Sequence, residues 1–185
     1  GKDIIKGGGA ADTLNGGDGV DQFVYTAASE MASGESVTGG ANEGGRDKLV
    51  LKGANQTYDM KTNLTTLSGI EEIDTSPATG TLAITVNDTQ VSGITHLTAG
   101  VGTEIITIDI AGVTSGTKTV NLSTLTLTDM TAGTDKFVLN VAAISGGAGY
   151  TITTSALGDK VTLSDGANSV TGLNGNNTIT GGSGV

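Results

Sequence analysis

A nine-residue period is the feature that most constrains this chain. Asp3, Asp12 and Asp21 stand nine apart, and a large apolar residue (Ile5, Leu14 or Phe23) follows two positions behind each. Glycine clusters precede them, at Gly7, Gly8 and Gly9 and again at Gly16, Gly17 and Gly19. A unit this short cannot bury its one apolar side chain alone, so it must stack on copies of itself. The period returns near the other end. Asp159, Asn168 and Asn177 are nine apart, with Val161, Val170 and Ile179 two behind each. Asp165-Gly166 and Asn174-Gly175 stand in the corresponding turns, and Gly181-Gly182-Ser183-Gly184-Val185 opens a further unit. Ile152 carries the apolar register one unit backward.

The spacing predicts a three-residue strand whose central apolar side chain points inward, followed by a tight six-residue turn. Glycine suits that turn because backbone carbonyls must rotate toward one point through φ values that other residues resist. The aspartate adds a charged oxygen at the same point. Such an all-oxygen set is what Ca2+ takes, with 6–8 ligands at about 2.3–2.6 Å. Without a cation the oxygens repel and the turn opens, so metal binding and folding are expected to be coupled.

Composition supports many short strands. Aromatics are 3% of the chain, Trp and Cys are absent, Gly numbers 31 and the one proline is Pro77. The core therefore rests on Val, Ile, Leu and Ala, and no disulfide can hold it. Between the two arrays, Thr81–Val86, Ile105–Ile110, Thr119–Leu122 and Leu125–Thr128 alternate apolar with polar residues, as half-buried strands do. Gly-rich turns such as Ala99-Gly100-Val101-Gly102 and Ser115-Gly116-Thr117 separate them. No strong helix stands out; residues 26–38 are the best place for a short one. Four regions follow: turn repeats over 1–25, a linker over 26–48, a Thr/Val/Ile-rich β-solenoid over 49–150, and Asn-variant repeats over 151–185. The chain reads as a piece of a longer protein.

The segment Gly16-Gly17-Asp18-Gly19-Val20-Asp21-Gln22-Phe23-Val24 fits G-G-x-G-x-D-x-U-x, U being a large apolar residue, at every fixed position. It resembles the haemolysin-type RTX calcium-binding nonapeptide repeat. The resemblance implies an all-β, parallel β-roll or β-solenoid with short strands and Gly-rich calcium-binding turns. It also implies two repeats per coil, with ions between repeats n and n+2. Asp3 and Asp21 would then share one edge and Asp12 the other. Candidate calcium ligands are Asp3, Gly7, Gly9, Asp12, Gly16, Asp18 and Asp21. Asp159, Asp165, Asn168, Asn174 and Asn177 are further candidates. Asn keeps the oxygen but loses the charge, so its sites should be weaker or empty, and Asn ladders can brace a solenoid by hydrogen bonds alone. Two isolated echoes, around Asp47 and Asp135, add two candidates, for which a plain turn is the simpler reading. An RTX-like unit followed by Leu67-Ser68-Gly69-Ile70-Glu71-Glu72-Ile73 is similar to the C-terminal region of Gram-negative S-layer proteins. That likeness implies type I secretion and folding outside the cell, at the cell surface.

The formal charge of −10 argues against nucleic-acid partners, and no stretch approaches the ~20 apolar residues of a membrane helix. His96 is the sole histidine, with no Cys for a zinc site, and it reads as a surface residue beside a turn. No nucleophile elbow, phosphate loop or dinucleotide motif appears, so no enzymatic activity is expected. Glu71 and Glu72 point to opposite faces of a strand, leaving Glu72 a solvated charge. The expected role is a calcium-dependent structural segment of an S-layer lattice or large adhesin. Self-association into a lattice or filament is expected, with cell-surface polysaccharide as a further partner. The alternative is a calcium-binding accessory module of a type I-secreted enzyme such as an alginate epimerase, lyase or protease. Ice or ligand binding by Thr124, Thr126 and Thr128 would need a regular Thr-x-Thr coil period, and none is found.

Overall fold

All the strand pairs that assemble the sheets are parallel in the computed structural model, which describes residues 1–42, 44–112, 116–142 and 148–182. The strands run β1 (Ile4–Ile5), β2 (Thr13–Asp18), β3 (Gln22–Tyr25), β4 (Glu35–Ala41), β5 (Lys48–Leu51), β6 (Ala54–Asp59), β7 (Leu64–Ser68), β8 (Glu72–Asp74) and β9 (Thr79–Asn87). They continue as β10 (His96–Thr98), β11 (Val101–Ile110), β12 (Thr117–Asn121), β13 (Thr126–Thr128), β14 (Lys136–Val141), β15 (Gly149–Thr153), β16 (Lys160–Thr162), β17 (Ser169–Thr171) and β18 (Thr178–Thr180). One sheet stacks β1-β3-β5-β8-β10-β13 and a second stacks β2-β4-β7. A third stacks β6-β9-β11-β14-β16-β18 and a fourth β12-β15-β17. The chain is a parallel β-solenoid, two-sided at each end and three-sided between.

Register explains where the nine-residue period holds. Ile4 pairs with Gln22, and Lys160 with Thr178, so the end coils are eighteen residues, two nonapeptides each. In the middle, Gln22 pairs with Lys48, Lys48 with Glu72 and His96 with Thr126. The coils after Lys48 and His96 are longer because they fit an additional strand of the third sheet, and the coil after Gln22 because it carries a 3-10 turn at Ala28–Glu30.

Inward side chains stack coil on coil. In the first sheet Ile5, Phe23, Leu49, Ile73, Leu97 and Leu127 form one column. In the third sheet Tyr58, Ile84, Ile106 and Phe137 form another. Phe137 is fully buried among these residues. Phe137→Ala is expected to cost about 3–5 kcal/mol, read as a loss in urea-unfolding free energy.

Two details differ from the sequence expectation. Within 26–38 only Ala28–Glu30 form a 3-10 turn, and Glu35 already opens β4, whose Ser36 N–H is taken by the Asp12 carbonyl. The other helical turns are α1 (Met60–Asn63), capped by the Asp59 side chain, and α2 (Asp88–Val91), closed by an Asn87–Gln90 capping box. Glu72 is the second correction. It is 2% exposed, and Arg46 and Lys48 each reach its carboxylate at 2.8 Å, with Thr98 donating at 3.0 Å. The flanking coils of the first sheet cover it, which no reading of one strand alone reveals. Those hydrogen bonds and cations hold its carboxyl below the usual range against the opposing effect of burial.

Candidate metal centres at the solenoid edges

The turns from the second sheet back to the first form one edge, and the acidic residues along it make a ladder. Asp21 Oδ1 accepts the Asp3 N–H at 2.8 Å, and Asp47 Oδ1 accepts the Asp21 N–H at 2.7 Å. Glu71 Oε2 accepts the Asp47 N–H at 3.0 Å. Each carboxylate is thus a rung to the coil before it. This uses only half of each aspartate. Asp21 Oδ2 and Asp47 Oδ2 are buried and have no hydrogen-bond partner.

Both orphaned oxygens face glycine. At Gly16, the space a Cβ would fill is occupied by Asp21 Oδ2 and, 2.7 Å away, by the Gly39 carbonyl oxygen. At Gly39, Asp47 Oδ2 and the Gly69 carbonyl oxygen crowd the same kind of space. Asn42 Oδ1 lies buried and unpartnered nearby, while its Nδ2 donates to Glu71 Oε2 at 2.6 Å. Burial, then the Glu71 and Asp21 charges, push the Asp47 carboxyl up against the opposing hydrogen bond from the Asp21 N–H. Converging oxygens without a donor are what a hard cation satisfies, and the residues of this edge fit calcium. Among the described residues no three Asp, Glu, His or Cys side chains gather at one point, so backbone carbonyls must supply much of any ligand set.

The opposite N-terminal edge repeats the theme once. Asp12 Oδ2 is unpartnered and sits 2.5 Å from the Cβ position of Gly7. On the next coil Glu35 stands level with Asp12, but the Tyr25 hydroxyl and the Ala32 N–H occupy its oxygens. Asp3, Gly9 and Asp18 lie exposed at the rims of these turns.

The C-terminal turns are built differently. Asn168 Oδ1 accepts the Tyr150 N–H at 3.1 Å, and Asn177 Oδ1 accepts the Asp159 N–H at 3.0 Å, the same rungs as Asp21 and Asp47. The other side of each amide is an NH2 group. It donates to the Ser164 carbonyl at 2.8 Å and the Leu173 carbonyl at 2.9 Å. Where the aspartate turns hold an orphaned oxygen, these turns hold a donor already in use. Asp159 is likewise satisfied, by the Ser155 N–H and hydroxyl and by the Phe137 N–H. Asp165 and Asn174 are exposed. Ser183, Gly184 and Val185 of the next unit lie outside the described residues.

Residues 1–25 and 156–185 match the RTX calcium-binding nonapeptide repeat family, in four copies. Both ends of this solenoid are RTX repeats. RTX nonapeptides bind calcium, and they mark the chain as carrying a calcium-binding module of a secreted protein. No curated protein and no solved structure matches the chain.

The acidic ladder runs past the RTX match at residue 25. Asp47, isolated in the sequence, is level with Asp21 in space because the coil between them carries the inserted 3-10 turn Ala28–Glu30. Glu71, Asn42, Gly39 and Gly69 were not visible as site residues. The signal for Glu71 was present: it precedes Ile73 by two, as Asp21 precedes Phe23. Asp135 sits on another edge, where its Oδ1 accepts the Glu104 N–H at 2.8 Å.

Proposed function

We propose that this chain is a calcium-ordered structural segment of a secreted bacterial cell-surface protein, part of an S-layer lattice or a large adhesin. The observation that carries this is the pair of buried, unpartnered oxygens of Asp21 and Asp47, stacked on consecutive coils. Calcium bridging those coils would stiffen the stack. In this reading Asp3, Asp12, Asp18, Asp21 and Asp47, with the carbonyls of Gly7, Gly9 and Gly16, belong to the calcium-holding turns. Asn168, Asn174, Asn177, Asp159 and Asp165 maintain coil register.

Light scattering in millimolar calcium and in chelator tests the reading. Association that appears with calcium and reverses with chelator is expected. A monodisperse monomer in both conditions would count against a lattice and favour an accessory module of a secreted enzyme.

A further inference from the structure

The turns that lead from the first sheet to the third stack on a separate edge, outside the RTX-matched residues. Three consecutive coils supply Thr75 to Ala78, Gly100 to Glu104, and Thr131 to Asp135. Two carboxylates meet there. Glu104 and Asp135 are each 2% exposed, and neither takes part in any ion pair among the described residues. Asp135 is fixed by the N–H groups of Glu104 and Thr131. Glu104 Oε1 accepts from the Thr75 hydroxyl at 3.2 Å and the Gly100 N–H at 3.0 Å. Glu104 Oε2 is buried with no partner.

Backbone oxygens converge beside this carboxylate. The Cβ position of Gly100 lies 2.5 Å from the Thr75 carbonyl oxygen, 2.7 Å from the Ala78 carbonyl oxygen and 3.3 Å from Glu104 Oε1. The elements are those of Gly16 with Asp21 and Gly39 with Asp47, a glycine, a carboxylate with one orphaned oxygen and carbonyls from the neighbouring coil, except that here the satisfied Oε1 faces the glycine. It recurs here without the nonapeptide motif. Two buried carboxylates with no counter-charge are costly. The groups left without a donor or cation, Glu104 Oε2 and the converging carbonyls, are oxygens, which suits a hard divalent cation.

We propose that Glu104 and Asp135, with the carbonyls of Thr75 and Ala78, form a further calcium site that ties three coils together on this edge. Glu104→Gln keeps the acceptor for Thr75 and Gly100 and turns an NH2 toward Asp135, so the variant should fold while losing the ion. Native mass spectrometry at saturating calcium should show one ion fewer in Glu104→Gln than in the parent. It should show the same loss in Asp135→Asn, independently of any lost in Asp21→Asn. An unchanged ion count in Glu104→Gln overturns the proposal and leaves the RTX turns untouched. A second measurement uses the parent chain alone. Trace manganese(II) added to the calcium-loaded protein should broaden the amide resonances of Gly100, Glu104 and Asp135. If those signals stay sharp while that of Gly16 broadens, or if infrared spectra show a protonated carboxyl that Glu104→Gln removes and calcium does not, the pair shares a proton and the site is not metallic.

Discussion

Removing calcium is expected to open the N-terminal coils and leave the C-terminal coils folded. With chelator, circular dichroism should lose part of the β signal, and hydrogen exchange should show where. Protection should fall at the amides of Asp3, Asp21 and Asp47, which lean on the aspartate ladder. It should persist at Tyr150 and Asp159, which lean on Asn168 and Asn177. A ligand at 100 times its Kd stabilises the folded state by about 2.7 kcal/mol. Two such sites on one edge give about 5 kcal/mol, comparable to the whole stability of a small domain at about 5–15 kcal/mol. A solenoid can lose this locally, because each coil contacts only its neighbours. Uniform loss along the chain, or none, would contradict the division between aspartate and asparagine turns.

Exchanging the two residue types should exchange the calcium dependence. In Asn177→Asp a carboxylate oxygen replaces the NH2 that donates to the Leu173 carbonyl at 2.9 Å. Two acceptors then face each other, at a cost of about 1–3 kcal/mol without calcium. For a chain of this length that lowers Tm by about 2–4 °C per kcal/mol. Added calcium should recover the loss. Asp21→Asn should do the reverse, because the new NH2 faces the space at Gly16 that Asp21 Oδ2 shares with the Gly39 carbonyl and can donate into it. Its Tm in chelator should rise above that of the parent, and its gain from calcium should shrink. Thermal melts of both variants with and without calcium decide the matter. If each responds to calcium as the parent does, the amide is not standing in for an ion.

Much of this architecture was legible in the chain itself. Nine-residue spacing determined the end coils, since Asp3 with Ile5 and Asp21 with Phe23 leave one register in which acid stacks on acid and apolar on apolar. Alternation in Thr81–Val86 and Ile105–Ile110 determined the strands of the third sheet and their buried faces. Extended two residues back, that alternation would have pointed Glu104 inward as well. The chemistry of Asn against Asp was also local: one amide carries its own donor, one carboxylate does not.

Tertiary structure decided which distant turns share an edge. Asp47 lies 26 residues from Asp21, and Asp135 lies 31 from Glu104, so no fixed period relates them. Coil length varies because strands of the third sheet, the 3-10 turn Ala28–Glu30, α1 and α2 are inserted between stacked turns, and inserted length shifts sequence spacing without shifting spatial register. Glu72 is buried for the same reason: Lys48 and Thr98 come from the coils on either side. A parallel stack brings residues together by coil, whereas the sequence orders them by chain. The period of nine therefore announced the turns, and only the stacking determined which carboxylates face one another.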